Sequence, residues 1–169
     1  MNLEIIGSAF GLNTSTEITK LECNSNLFLH FKEIMFRYYK KHLAYFYEYD
    51  YLKLLNLDLV IISDASSIHF GITPIHPRAY VFDVMCDWLN KPLIFITHNV
   101  SNSKNFSREN KKIVQNIEEL DNALQHFNIK KNSNILLIDA DFLNPFTTYT
   151  SKVVNYLKEK ANTKGNYEN

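Results

Sequence analysis

The sequence predicts a three-layer α/β domain built around a parallel sheet of about five strands. Short apolar runs alternate along the chain with longer segments of helical pattern, which is typical of a sheet covered by helices on both faces. The runs are continuously apolar, as expected for strands buried on both faces. The 169 residues are enough for one domain, which we expect to span residues 1–160, with 161–169 as a disordered polar tail.

Five apolar runs are the strand candidates, each bounded by turn-forming or polar residues. The first is Leu3–Ile6, and Leu27–Phe31 is a weaker second. Three strong candidates follow at Leu57–Ile62, Pro92–Thr97 and Asn134–Asp139.

The segments between and after these runs carry helical patterns. The predicted helices are Thr16–Glu22, Glu33–Leu55, Arg78–Leu89, Ser107–Phe127 and Thr150–Lys160. The dense aromatic residues around the second helix suit a subunit interface or a ring-stacking site, with ordinary core packing as the alternative. This alternation of strands and helices predicts a Rossmann-like fold of the flavodoxin-like kind. In such folds ligands bind at the carboxyl ends of the strands, near the point where the strand order reverses.

Composition and charge exclude several classes of function. Eighteen basic and eighteen acidic residues give a net charge of zero, which argues against nucleic-acid binding. No apolar run reaches the roughly 18 residues that a membrane span needs, and no signal peptide is recognisable. Cys23 and Cys86 lie far apart and are expected to be free thiols of a cytoplasmic protein. The histidines show no metal-ligand spacing, so no metal is expected.

Two predicted strand-end loops combine glycine with hydroxyl side chains. Two of the four glycines, Gly7 and Gly11, follow the first strand and flank Ser8, and Ser66 and Ser67 follow the third. Close backbone approach, hydroxyls and a helix N-terminus favour phosphate binding, with simple capped turns as the alternative. Neither a Walker sequence nor GxGxxG occurs, which argues against ATP hydrolysis and a dinucleotide site.

A third loop follows the fourth predicted strand and begins with Thr97-His98-Asn99. The amide of Asn99 can hold a carboxylate or a carbonyl group. His98 can exchange a proton near neutral pH, although a surface role is the simpler interpretation.

These loops together carry a family resemblance. Gly7-Ser8 follows the first strand, Asp64–Ile68 stands where the family has Pro-Ala-Ser-Ala-Asn, and Ile96–Asn99 stands where it has Pro-x-Met-Asn. In these motifs the chain resembles the homo-oligomeric flavin-containing cysteine decarboxylases, which include phosphopantothenoylcysteine decarboxylase and the decarboxylases of lantibiotic biosynthesis. The matched positions are Gly7, Ser8, Ala65, Ser66 and Asn99. The family's catalytic histidine falls at Asp50, and its methionine at His98.

The resemblance implies an FMN-binding enzyme that oxidatively decarboxylates a cysteine-containing peptide or small thiol. Gly7, Ser8 and residues 65–67 would contact the flavin, and Asn99 the substrate carboxylate. His98 and Asp50 complete the implied catalytic set, with Asp50 replacing the histidine as acid or base. A homo-oligomer, trimer or dodecamer, is implied. Because Asp50 stands at the position of the catalytic histidine, two alternatives stay open for this chain. It is a diverged or inactive member of the family, or it is a non-catalytic subunit that pairs with a related chain in a hetero-oligomer.

A second resemblance gives an alternative function. Phe82–Met85 lies before Asn90-Lys91-Pro92 in a register similar to that of nucleoside deoxyribosyltransferase-like proteins. In that family a glutamate attacks the anomeric carbon, so Asp83 would be the nucleophile of a nucleoside or nucleotide N-glycosidase or transferase. The simpler interpretation of Asp83 is a solvated carboxylate on a helix.

Overall fold

The computed structural model describes residues 1–6, 26–63, 77–97, 108–139 and 148–162, with side chains described only for 152–161 in the last range. One sheet of five strands runs through these residues, and every neighbouring pair is parallel. The predicted α/β class with about five parallel strands is therefore confirmed. The strands are β1 Asn2–Ile6, β2 Leu59–Ser63, β3 Leu93–Ile96, β4 Lys111–Val114 and β5 Asn134–Asp139.

The strand order across the sheet is β1-β5-β2-β3-β4. From β2 the chain moves to one side through β3 and β4, and it then returns to place β5 on the other side of β2. The strand order therefore reverses between β2 and β5, which is the switch point of this kind of sheet. The order differs from the 2-1-3-4-5 order of flavodoxin, because β5 lies between β1 and β2.

Helices cover both faces of the sheet and build two cores. The strands alternate, so that Val60 and Ile62 of β2 enter one core while Leu59 and Ile61 enter the other. The first core contains the helices that precede β3, and the second contains the last two helices. These elements are α1 Asn26–Tyr38, a 3₁₀ helix at Lys40–Tyr45, α2 Glu48–Leu55, α3 Pro77–Leu89, α4 Ile117–His126 and α5 Thr148–Asn162.

The predicted strand Leu27–Phe31 is wrong, because these residues form the first turns of α1. Phe28, Phe31 and Met35 are buried at helical spacing, and this stripe packs into the first core. The apolar run was too short to distinguish a strand from one turn of a buried helix.

The predicted helix Ser107–Phe127 is wrong over its first half, which contains β4. Ile113 and Val114 are adjacent and enter opposite cores, as successive residues of a strand do, and both pair with β3. The helix begins later, after Asn116, whose side chain accepts a hydrogen bond from the Glu119 amide at 2.8 Å. The predicted count of five strands thus holds although one predicted member was wrong and β4 was missed.

The long predicted helix Glu33–Leu55 is divided into the end of α1, the 3₁₀ helix and α2. A straight helix would separate residues 28 and 46 by about 27 Å. Instead the chain folds back, and the rings of Phe28 and Phe46 stack with centroids 5.2 Å apart. Phe31 stacks on Trp88 at 4.7 Å. Most of these aromatic rings therefore serve the core, while Phe36 and Tyr38 are exposed.

The predicted helix Thr16–Glu22 lies outside the described residues, and the remaining predicted elements agree closely with the structure. β5 has the predicted bounds, and α3 begins one residue before the predicted start. α5 extends to Asn162, two residues past its predicted end. Cys86 is a buried free thiol, and burial raises its pKa. Within the described ranges, none of the helices has the length and apolar character needed to span a bilayer.

Candidate functional site

The candidate site lies at the carboxyl edge of the sheet, where most predicted site residues follow directly on strand ends. β1 ends at Ile6, β2 at Ser63 and β3 at Ile96. The predicted phosphate and substrate segments begin within one or two residues of these ends. Seven predicted site residues lie outside the described residues: Gly7, Ser8, Ala65, Ser66, Ser67, His98 and Asn99.

Two polar side chains meet at the switch point. Ser63 ends β2, Asp139 ends β5, and the two residues are register partners on neighbouring strands. Both are fully buried. Side chains alternate between the two faces along a strand, so Ser63 lies on the same face as Ile61, and Asp139 on the same face as Leu137. Ile61 and Leu137 belong to the second core, so both polar side chains lie on the face covered by α4 and α5. Neighbouring strands are about 4.8 Å apart, which brings the hydroxyl and the carboxylate side by side.

The chemistry of this pair suits a hydroxylated ligand. A carboxylate accepts hydrogen bonds from sugar or polyol hydroxyls, and a serine hydroxyl both donates and accepts. The negative charge of an ionised Asp139 would repel a phosphate placed directly on it. Thr97, also fully buried, follows β3 and lies on the opposite face.

Asp50 forms a buried ion pair with Arg78. Arg78 donates from Nε to Oδ2 at 2.7 Å and from Nη2 to Oδ1 at 2.6 Å, and both side chains are at most 5% exposed. The Tyr47 ring lies 5.1 Å from the guanidinium carbon. Burial raises the pKa of the Asp50 carboxyl, and the hydrogen bonds from Arg78 oppose that shift. Both oxygens of Asp50 are thus already engaged, and its evident role is to hold Arg78.

The position of Arg78 connects this pair to the candidate site. Arg78 is the second residue of α3, which connects the carboxyl end of β2 to the start of β3. Because α3 runs antiparallel to both strands, its N-terminus lies toward the carboxyl edge of the sheet. The guanidinium therefore lies toward the same edge of the sheet as Ser63, although on the opposite face.

Asp83 lies at a different place, between α3 and β4. Its Oδ2 accepts from Lys111 Nζ at 2.5 Å, and its Oδ1 accepts from Arg108 at 2.9 Å. Asp83 is 4% exposed, so the interpretation as a solvated carboxylate is wrong. Asn110 reinforces the connection by donating to the carbonyl oxygen of Cys86 at 3.0 Å. This geometry ties an edge strand to a helix, and it leaves neither oxygen of Asp83 clear to attack a substrate.

A cavity of about 780 Å³ lies at the opposite, amino-terminal edge of the sheet. It is bounded by β1, by α2 and by the first residues of β5. Its polar walls are already paired, since Lys53 bonds Glu4 and Asn2 donates to Asn134 at 2.8 Å. The chemistry therefore favours the carboxyl edge over this cavity as the functional site.

Comparisons with protein-family models, with curated proteins and with solved structures give no match for this chain. The fold and the site therefore define its class: a three-layer α/β protein with a buried Ser–Asp pair at the switch point of its sheet.

Sequence reasoning did not single out Ser63, Asp139 or Arg78 as site residues. A signal for the first two was present, because each is a polar residue that ends an otherwise apolar run. Their adjacency was not readable, since it depends on the insertion of β5 beside β2. Arg78 was counted only as the start of a helix, and nothing in the sequence connects it to Asp50.

Proposed function

We propose that this protein binds a phosphate-bearing mononucleotide, in the first instance FMN, across the carboxyl edge of its sheet. The observation that carries the proposal is the buried Ser63–Asp139 pair at the switch point between β2 and β5. Crevices at such points are where open α/β sheets bind ligands. The segments that follow β1, β2 and β3 resemble motifs of the flavin-dependent cysteine decarboxylases. This resemblance favours FMN over other mononucleotides as the ligand.

The polar groups of the proposed site would bind two different parts of the ligand. Asp139 and Ser63 suit the hydroxyls of a ribityl or ribose chain. The phosphate belongs away from Asp139, with the backbone amides and hydroxyls of Gly7-Ser8 and of residues 65–67 as its expected partners. A neutral chain with few basic residues in these segments fits anion binding by amides and hydroxyls.

The reaction class follows from the resemblance and is part of the proposal. The substrate would be a cysteine-containing peptide or small thiol, and its carboxylate would be held by Asn99. Bound FMN would supply the hydride acceptor that oxidative decarboxylation requires. Asp50 is assigned to the positioning of Arg78, because both of its oxygens are engaged there. FMN binding without turnover would fit the non-catalytic subunit instead.

The test is a binding titration of the purified protein with FMN, riboflavin and inorganic phosphate, followed by flavin fluorescence and calorimetry. A flavin absorption spectrum of the protein as purified would support the proposal at once. We expect FMN to bind at least about tenfold more tightly than riboflavin, because one charge-assisted phosphate contact contributes about 1.5–3 kcal/mol. A colourless protein that binds neither FMN nor another mononucleotide would refute the proposal.

Matched carboxylate variants test the assigned pair. Asp139→Asn keeps the shape but removes the charged acceptor, and we expect it to weaken FMN binding about tenfold. Asp121→Asn removes the same charge from the α4–α5 contact, where Asp121 accepts from Tyr156, and should leave binding unchanged. Equal affinities of the two variants would contradict the role of Asp139. The fluorescence of Trp88, the single tryptophan, verifies that both variants are folded.

A further inference from the structure

The outer edge of β1 carries backbone groups that the described part of the chain leaves without a strand partner. Among the strands of the described residues, β1 is the last on its side of the sheet, and within them it pairs only with β5. The Asn2 amide donates to the Ser133 carbonyl at 2.9 Å, so the backbone groups of Asn2 face β5. The backbone N–H and C=O groups of successive residues in a strand point alternately to its two sides. Those of Glu4 and Ile6 therefore also face β5, whereas those of Leu3 and Ile5 point away from the sheet.

The two edges of the sheet differ in their protection. β4, the opposite edge strand, carries Lys112, which is partly exposed while Lys111 is buried against Asp83, and a lysine on an edge strand discourages pairing with another chain. β1 contains no lysine, arginine or proline. Its single charge, Glu4, is paired with Lys53 of the same chain. Such an unprotected edge is a template for the addition of another strand.

The sequence of β1 is complementary to itself in one antiparallel register. With a two-fold axis at Leu3, the two Leu3 residues exchange N–H and C=O bonds, and Asn2 of each copy lies opposite Glu4 of the other. An amide can donate to a carboxylate, and capacity remains for this beyond the contacts within the chain: the Asn2 amide, which donates to Asn134, has two N–H groups, and Glu4 has a second oxygen besides the one bonded by Lys53. The neighbouring register, with its axis at Glu4, places two glutamates opposite each other, which is unfavourable. Of these two registers, the side chains favour the Leu3-centred one.

We propose that the β1 edge pairs antiparallel with β1 of a second copy of this chain, joining two five-stranded sheets into one continuous sheet. Leu3 lies at the two-fold axis, and the Asn2–Glu4 contacts fix the register. The contact is isologous and closes at two copies. It therefore predicts a dimer, or a closed assembly built from dimers, and it excludes a simple trimer.

The first test measures the solution mass of wild type and two matched variants over a dilution series, by chromatography with light scattering. Wild type should show twice the 19.8 kDa of one chain. Leu3→Pro removes the outward N–H, which the β5 ladder does not use, and proline is tolerated at an edge in that orientation. Leu3→Ala loses the side chain but keeps the N–H. We expect Leu3→Ala to remain dimeric and Leu3→Pro to be monomeric, with equal far-UV circular dichroism.

The second test examines the register without depending on proline. Asn2→Lys and Asn2→Glu lose the same contact to Asn134, but they place a lysine or a second glutamate opposite Glu4 of the other copy. Over two symmetric pairs, we expect the dimer of Asn2→Lys to be about tenfold tighter than that of Asn2→Glu, with a difference that shrinks at high salt. A monomeric or trimeric wild type, a Leu3→Pro dimer as tight as that of Leu3→Ala, or equal dimer affinities of the Asn2 variants would overturn the proposal.

Discussion

The cluster between α3 and β4 gives the sharpest prediction about stability. Asp83 is 6% exposed at its side chain and neutralises Lys111, which is 3% exposed, and Arg108, which is 28% exposed. The perturbation is Asp83→Ala. It removes the carboxylate that pairs with the buried Lys111 ammonium, and it releases the contact between α3 and the edge strand.

The expected magnitude follows from the burial of the two partners. Breaking a buried ion pair by removing one partner costs about 3–5 kcal/mol, a large share of a typical total of about 5–15 kcal/mol. Lys111→Met should cost less, about 1–3 kcal/mol, because Asp83 keeps Arg108 as a partner. The double variant Asp83→Ala, Lys111→Met loses both charges of this pair. Its loss of unfolding free energy should therefore be about 2 kcal/mol smaller than the sum of the losses in the two single variants.

The assay is urea unfolding followed by the fluorescence of Trp88, whose ring stacks on Phe31 in the first core. Asp87→Ala is the control, because that carboxylate also pairs with Arg108, at 3.2 Å, but is 57% exposed. Its removal should cost no more than about 1 kcal/mol. If Asp83→Ala costs as little as Asp87→Ala, the structural role of Asp83 is refuted. A loss of nucleosidase activity without loss of stability would then support its interpretation as a nucleophile.

Three further predictions concern other contacts. Arg78→Met leaves Asp50 buried without its cation and should lower the free energy of unfolding by about 3–5 kcal/mol; a cost below about 1 kcal/mol in urea would contradict the pair's importance. Burial lowers the pKa of His42, whose ring stacks on Tyr80 at 4.5 Å, so folding favours the neutral ring. The free energy of unfolding of wild type, measured relative to that of His42→Phe, should therefore keep its full value above about pH 6.5 and fall as the pH drops below 6.5. Melting curves of the two proteins that keep a constant difference from pH 7.5 to 5 would count against this. Asn116→Ala removes the cap of α4 and should cost about 1 kcal/mol, with faster amide exchange in the first turn of α4, whereas Asn116→Asp should retain the cap; identical exchange in both variants would argue against capping.

The sequence predicted the central strands well because their environment is simple. β2, β3 and β5 are buried on both faces, so each is a continuous apolar run. β4 could not be recognised in the same way, because half of it is lysine. Lys111 is buried only because Asp83 of a distant helix neutralises it. A strand whose polar residues are satisfied by tertiary contacts has no local signature.

The candidate site was predictable in its location but not in its composition. That ligand-binding segments follow the strand ends is a property of every sheet of this class. Which strand ends are neighbours depends on strand order, and the apolar pattern of β5 is the same whether it lies at an edge or in the centre. Ser63 and Asp139 were therefore each visible as a polar residue that ends an apolar run, but the fact that they are neighbours was not.

The insertion of β5 also constrains what a ligand must do to use both predicted phosphate segments. The carboxyl ends of β1 and β2 are separated by one intervening strand, which corresponds to about 10 Å across the sheet. A mononucleotide is long enough to lay its phosphate near one of these ends and its ring near the other. Asp139 stands between them, at the end of the intervening strand. If the proposed mononucleotide binds in this way, the part of it that passes Asp139 is expected to carry hydroxyl groups, as a ribityl or ribose chain does, because a second negative charge beside an ionised Asp139 would be repelled.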